Sequence, residues 1–192
     1  MRPLVLASGS PYRRELLQRL QLPFVCRSPN IDESPLPDED ATALVQRLAA
    51  TKAGALRKQF LQHLIIGSDQ VAVLNGQIIG KPGNRQAAIQ QLQAASGRSL
   101  IFYTGLCLLD SASGQLQVDC VPFSVHFRQL SNAQIERYVD REKPFDCAGS
   151  FKSEGLGISL FRATGGEDAT ALVGLPLIRL CGMLNQAGVE IP

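Results

Sequence analysis

Apolar positions in this chain fall into short continuous runs separated by stretches with three- and four-residue recurrences, a pattern that predicts an α/β fold. Leu4-Val5-Leu6 reads as a short buried strand. Ser10 and Pro11 supply an N-cap and a first helical position, and Leu16, Leu17 and Leu20 give the helix that follows an inner face. A loop rich in proline and acid spans 28–40, and a second helix without internal proline is expected over 41–58. The run 64–74 is the most strand-like of all. Asn75-Gly76 after it signals a type I′ hairpin returning through 77–79. A helix over 84–95, strands over 100–109 and 116–128, and a helix from a Ser131/Gln134 capping box through 139 follow. The glycine-rich region 149–166 reads as irregular or edge-strand structure, and 175–186 as a closing helix. No repeat or low-complexity linker interrupts 1–192, so a single domain is expected, with room for two lobes.

Composition narrows the function classes. Of 192 residues, 45% are hydrophobic and 19% charged, a globular balance, and the formal charge of +2 gives no reason to expect a nucleic-acid polymer or an acidic membrane as partner. The five cysteines, Cys26, Cys107, Cys120, Cys147 and Cys181, form no Cys-x-x-Cys pair, which argues against zinc or a disulfide framework and fits a reducing cytoplasm. No apolar run approaches the ~20 residues of a membrane-spanning helix. His63 and His126 follow no metal-ligand spacing and read as structural or exposed.

Against this background a few residues are out of place. Arg13 and Arg14 sit in a first helical turn, where the macrodipole disfavours cations by about 0.3–1 kcal/mol each. They are either solvated, or part of an anion site built from the turn Ser8-Gly9-Ser10, free N–H groups and an arginine fork. Lys52 continues the stripe Leu44, Leu48, Leu56, as a snorkelling lysine would, or a functional one. Asp69 interrupts an otherwise interior strand, where a carboxylate must be paired, hydrogen-bonded or bound to metal. A structural ion pair satisfies that need; a functional site is the preferred reading. Counting outward from a two-residue turn brings Lys81 opposite Gln70, beside Asp69, although a surface lysine in a loop would look the same. Glu33 is a loop charge that also offers an oxygen ligand, and with Asp69 it suits a hard cation such as magnesium. Phosphate-loop, nucleophile-elbow and Ser-x-x-Lys motifs are absent.

The segment from Leu6-Ala7-Ser8-Gly9-Ser10-Pro11 through Arg13-Arg14 to Leu16-Leu17 resembles the opening motif of Maf-type nucleoside triphosphate pyrophosphatases. The resemblance continues in order through Asp32-Glu33, Lys52-Ala53, Gly67-Ser68-Asp69-Gln70, Gly80-Lys81-Pro82, Ala148-Gly149-Ser150-Phe151 and Val173-Gly174-Leu175-Pro176. It implies a mixed, curved central sheet flanked by helices around a central cleft, similar to inosine triphosphatases. It also implies dependence on a divalent cation (Mg2+ or Mn2+), a cytoplasmic location, a small-molecule nucleotide as substrate, and frequent homodimers. Carried over by position, Asp69 matches the proton acceptor, Arg13, Lys52 and Lys81 the phosphate-contacting cations, and Glu33 an acidic metal-site position shared with Asp69.

Three positions separate the branches of that family. Where the thymidine/uridine triphosphate branch usually has Arg, Thr and Gln, this chain has Tyr12, Gln70 and Glu154, which resembles the 7-methyl-GTP pyrophosphatase branch. That branch often carries Trp at the first position. An aromatic ring stacks on a cationic, N7-methylated guanine by ~0.5–2 kcal/mol, and a carboxylate accepts from the guanine N–H edge. The resemblance thus implies hydrolysis of 7-methyl-GTP to 7-methyl-GMP and pyrophosphate. The alternatives are a dTTP/UTP pyrophosphatase and a non-catalytic nucleotide-binding regulator of cell division.

Overall fold

A computed structural model describes residues 2–192. Seven strands form one mixed sheet in the order β2-β1-β3-β5-β6-β7, with β4 paired to β3. The strands are β1 (Leu4–Leu6), β2 (Phe24–Cys26), β3 (Leu64–Leu74), β4 (Gln77–Ile79), β5 (Ser99–Asp110), β6 (Leu116–Phe127) and β7 (Phe161–Gly165). Six helices accompany them: α1 (Pro11–Gln18), α2 (Ala41–Ala55), α3 (Arg85–Ala95), α4 (Asn132–Glu142), α5 (Thr170–Val173) and α6 (Leu177–Gln186). The chain divides into two compact units. One comprises the chain through Gln70 with Tyr103–Val121 and Asp168–Pro192; the other comprises Val71–Phe102 and Pro122–Glu167.

In the first unit β1 pairs in parallel with both β2 and β3. Its side chains alternate between two cores, as the two-residue period of a strand requires. Leu4 and Leu6 join Leu16, Leu17, Leu64, Ile66 and the α6 residues Leu180 and Leu184 on one face. Val5 and Ala7 join Ala49, Ala53 and Ile65 on the other. Coverage on both faces explains why β1 and the start of β3 read as continuous apolar runs. The same alternation sorts the residues that follow: 65, 67 and 69 turn toward α2, while 66, 68 and 70 turn toward α5 and α6.

Two glycines let α2 lie almost against the sheet. A Cβ on Gly67 of β3 would stand 2.0 Å from the Ala49 carbonyl oxygen, and one on Gly105 of β5 would stand 2.1 Å from that of Val45. At this close approach Lys52, nearly one turn beyond Ala49, comes level with Asp69 on the strand.

The second unit is organised around four aromatic rings. Phe102, Phe127, Phe151 and Phe161 meet edge to face at centroid distances of 4.8–5.6 Å, the arrangement favoured by ring quadrupoles. The hairpin of β3 and β4 has the expected register, Leu74↔Gln77 through Ala72↔Ile79, with Asn75 and Gly76 at the positive φ of a type I′ turn. On α4, both halves of the Ser131/Gln134 capping box are formed.

Several boundaries differ from expectation. Strand β2 is an edge strand with Val25 and Cys26 exposed, so it shows no alternation to read. Helix α2 stops at Ala55 rather than 58, where the Leu56 N–H bonds back to Ala53 and Gly54. The closing helix begins at Leu177, because Pro176 takes the extended N-cap position. Region 149–166 holds short turns of helix at Ala148–Ser150 and Leu156–Leu160 before β7, which pairs antiparallel with β6. Among the described residues no helix is long and apolar enough to cross a membrane.

Candidate active site

The first unit gathers four of the predicted residues. Asp69 and Lys52 are buried, at 7% and 6% relative exposure. The Lys52 ammonium donates to Asp69 Oδ1 at 2.6 Å and pairs with Glu33 Oε1 at 2.9 Å. Burial rules out the snorkelling alternative for Lys52: its nitrogen is inside, held between two carboxylates. Glu33, by contrast, keeps its side chain 59% exposed.

Arg13 completes the group. Its Nε donates to the Gly174 carbonyl at 2.7 Å. Burial pushes the guanidinium below its usual range, and the negative charges of Asp69 and Glu33 oppose that push. The formal charges of Arg13, Lys52, Glu33 and Asp69 cancel. A triphosphate added here would therefore need further positive charge, from another cationic side chain or a metal ion.

The turn before α1 is partly committed already. Ser10 N–H donates to Ser8 Oγ at 3.1 Å, and Arg13 N–H to the N-capping Ser10 Oγ at 3.4 Å. Two N–H groups of the expected anion cradle are thus satisfied by serine hydroxyls.

Gln70 turns to the α5 side. Its Nε2 donates to the carbonyls of Ala171 at 2.7 Å and Leu172 at 3.2 Å and to Thr104 Oγ1 at 2.9 Å. The amide nitrogen is therefore spent on the protein, and an acceptor is what this side chain has left to offer a ligand. Tyr12 lies half-buried on α1, next to Arg13.

Lys81 and Glu154 belong to the second unit. The ladder of β3 with β4 keeps the expected register and ends at Ala72↔Ile79, two residues before Lys81. Lys81 is exposed in the segment after β4, beside Gly80, whose carbonyl accepts from Gln91 Nε2 at 3.1 Å. Glu154 is exposed and accepts from the Ser153 hydroxyl at 2.8 Å. Its loop is tied to α4, where Lys152 N–H donates to Tyr138 Oη at 2.9 Å and Leu156 N–H to Glu142 Oε1 at 3.2 Å.

A divalent ion is tested by the donor chemistry. Among the described residues there is no group of three His, Cys, Asp or Glu placed to hold one. Glu33 and Asp69 each spend one oxygen on Lys52 and keep a second. Two carboxylates suit an ion whose other ligands are phosphate oxygens and water.

Sequence reasoning assigned no role to Ser68, Thr104 or Asp168. Ser68 is buried and donates to the carbonyls of Gly105 and Gly174 at 2.8 and 2.9 Å. Thr104 donates to the Ala171 carbonyl at 2.9 Å. Asp168-Ala169-Thr170 has the spacing of an aspartate turn, the one local signal available for these contacts.

The chain matches the family described as Maf-like protein over residues 3–187, and it belongs to that family. It is 65% identical, over the full length of both chains, to a Pseudomonas aeruginosa protein named 7-methyl-GTP pyrophosphatase. An Alcanivorax borkumensis protein of the same name is 60% identical over 98% of this chain and 96% of its own. Among solved structures, the Staphylococcus aureus Ham1 protein covers 80% of this chain and 88% of its own at a TM-score of 0.51 and 15% identity, a likeness of fold.

Proposed function

We propose that this protein hydrolyses 7-methyl-GTP to 7-methyl-GMP and pyrophosphate. The observation that carries the reading is the buried Asp69 carboxylate on Lys52, beside Arg13 and Glu33, in a chain so similar over its length to proteins named for that activity. A mere binder of nucleotide has no need of a buried carboxylate beside its phosphate-binding cations.

Asp69 orients water for attack on the α-phosphorus and accepts its proton. The bond from the α-phosphorus to the bridging oxygen breaks, and pyrophosphate leaves with that oxygen. Arg13 and Lys52 hold the triphosphate, and Lys81 is assigned to the same task by family resemblance. Glu33 and Asp69 would hold Mg2+ or Mn2+ together with phosphate oxygens. When bound, that ion supplies charge neutralisation on the phosphates. The cancelling charges of the four grouped side chains support a need for it.

Base choice falls to Tyr12, Gln70 and Glu154. A cationic methylated guanine favours stacking on Tyr12 and proximity to the Glu154 carboxylate. The acceptor that Gln70 still offers suits the guanine N–H edge. Scattered, unpaired cysteines fit a cytoplasmic setting, and a homodimer follows from the family resemblance.

A panel of 7-methyl-GTP, GTP, dTTP and UTP, read by pyrophosphate release with Mg2+ or Mn2+ present, tests this function. 7-Methyl-GTP is expected to have the highest kcat/KM. Faster hydrolysis of dTTP or UTP would assign the chain to the pyrimidine branch, and tight binding without pyrophosphate release would mark a non-catalytic regulator.

A further inference from the structure

Asp168 is a buried carboxylate of the first unit, at 3% relative exposure, and the proposed chemistry does not use it. It is fully engaged. Oδ1 accepts from the Thr170 N–H at 2.9 Å and from the Thr170 hydroxyl at 2.5 Å, and Oδ2 accepts from the Ile178 N–H at 2.8 Å. Thr170 Oγ1 in turn accepts from the Leu177 N–H at 2.8 Å. One carboxylate and one hydroxyl thus join the start of α5 to the first turn of α6.

The segment clamped in this way presents main-chain oxygens to the site. The Ala171 carbonyl takes the amide nitrogen of Gln70, and the Gly174 carbonyl takes Nε of Arg13 along with the Ser68 hydroxyl. Helix α5 has four residues, far below the length at which a helix holds itself, so its carbonyls stay in place through tertiary bonds. Gly174 adopts φ 111, and a Cβ there would stand 3.3 Å from Arg13 Nε. Both the arginine and the amide therefore donate to backbone atoms of the segment that the Asp168 carboxylate ties to α6.

We propose that Asp168 is a positioning residue: by clamping α5 to α6 it sets the orientation of Arg13 and of Gln70, and so governs both the grip on the triphosphate and the choice of base. This rests on the 7-methyl-GTP pyrophosphatase reading. It deepens that reading by adding a residue that touches neither substrate nor metal.

Steady-state pyrophosphate release from 7-methyl-GTP and from dTTP, with thermal melting alongside, tests the proposal in wild type, Asp168→Asn, Thr170→Val and Thr170→Ser. Asp168→Asn turns an amide N–H2 or a weaker acceptor toward the N–H donors. It is expected to raise KM for 7-methyl-GTP about tenfold and to lower the kcat/KM preference for 7-methyl-GTP over dTTP. Thr170→Val, which removes only the linking hydroxyl, is expected to do the same to a smaller extent, and Thr170→Ser, which keeps it, to restore wild-type values. Val125→Ala, a buried substitution in the second unit, is expected to lower the melting temperature without moving KM or the preference. Unchanged KM and preference in both Asp168→Asn and Thr170→Val would overturn the proposal, whatever happens to melting. If Asp168→Asn does not fold, Thr170→Val decides alone. A wild type that releases no pyrophosphate from either nucleotide would overturn the functional reading itself and this inference with it.

Discussion

Lys52 and Asp69, seventeen residues apart in sequence, share a 2.6 Å hydrogen bond inside the first unit, at an inter-element distance set by Gly67 and Gly105. Breaking a buried ion pair from one side leaves an unpaired charge and costs about 3–5 kcal/mol, whereas replacing both partners by apolar residues is often neutral. Lys52→Met is therefore expected to lower stability by that order, and Lys52→Met combined with Asp69→Leu to recover most of it while remaining inactive. Chemical denaturation of the two variants checks this. A double variant as unstable as the single would show that the pair is not the source of the loss.

Asp69→Asn keeps the size and the hydrogen-bond reach of the side chain but cannot accept a proton. Turnover of 7-methyl-GTP is expected to fall by at least about 10²-fold in the folded variant, beyond any loss of stability from leaving Lys52 without the Asp69 charge. Undiminished turnover would remove Asp69 from the chemistry.

Gly67→Ala puts a methyl group where Ala49 carbonyl oxygen now stands, 2.0 Å from the new carbon. Helix α2 must move away, carrying Lys52 from Asp69. A destabilisation of about 1–3 kcal/mol is expected, with activity lost beyond what unfolding accounts for. Full activity in the folded variant would mean that the Lys52–Asp69 spacing is not critical.

Glu154→Gln removes the charge that favours a cationic base while keeping an acceptor. The ratio of kcat/KM for 7-methyl-GTP over UTP is expected to fall by about tenfold, and further when Gln70→Thr and Tyr12→Arg are added. A ratio unchanged in the triple variant would place base selection elsewhere.

The acidic loop carries its own pH dependence. Hydrogen bonds from Arg47, and then from the Leu36 N–H, hold the Glu39 carboxyl down at about 2 against an ordinary 4.5. Because the folded value is the lower one, its stabilising contribution is complete above about pH 5 and disappears as pH falls toward 2. The stability difference between wild type and Glu39→Gln is therefore expected to be constant near neutrality and to vanish in acid, measured by melting across that range. A difference independent of pH would assign the contribution to something other than the carboxylate.

What the sequence made readable was local. The caps Ser10 and Ser131, the Asn75-Gly76 turn and the unbroken run of β3 each declare themselves within a few residues. Asp69 and Lys52 stood out because a charge inside an apolar pattern demands a partner, and each turned out to be the partner of the other. The contacts that aim Arg13 and Gln70 were not readable, since their acceptors are main-chain oxygens of Gly174 and Ala171, which any residue carries. For Lys81 the register counted from the turn holds as far as Ile79, and the pairing ends two residues before the lysine.

The most direct test of the whole account is hydrolysis of 7-methyl-GTP in 18O-labelled water, with both products analysed by mass. Attack of Asp69-directed water on the α-phosphorus predicts equal amounts of 7-methyl-GMP and pyrophosphate, with the label in 7-methyl-GMP alone. Label in pyrophosphate, release of single phosphates, or the same yield from Asp69→Asn would contradict it.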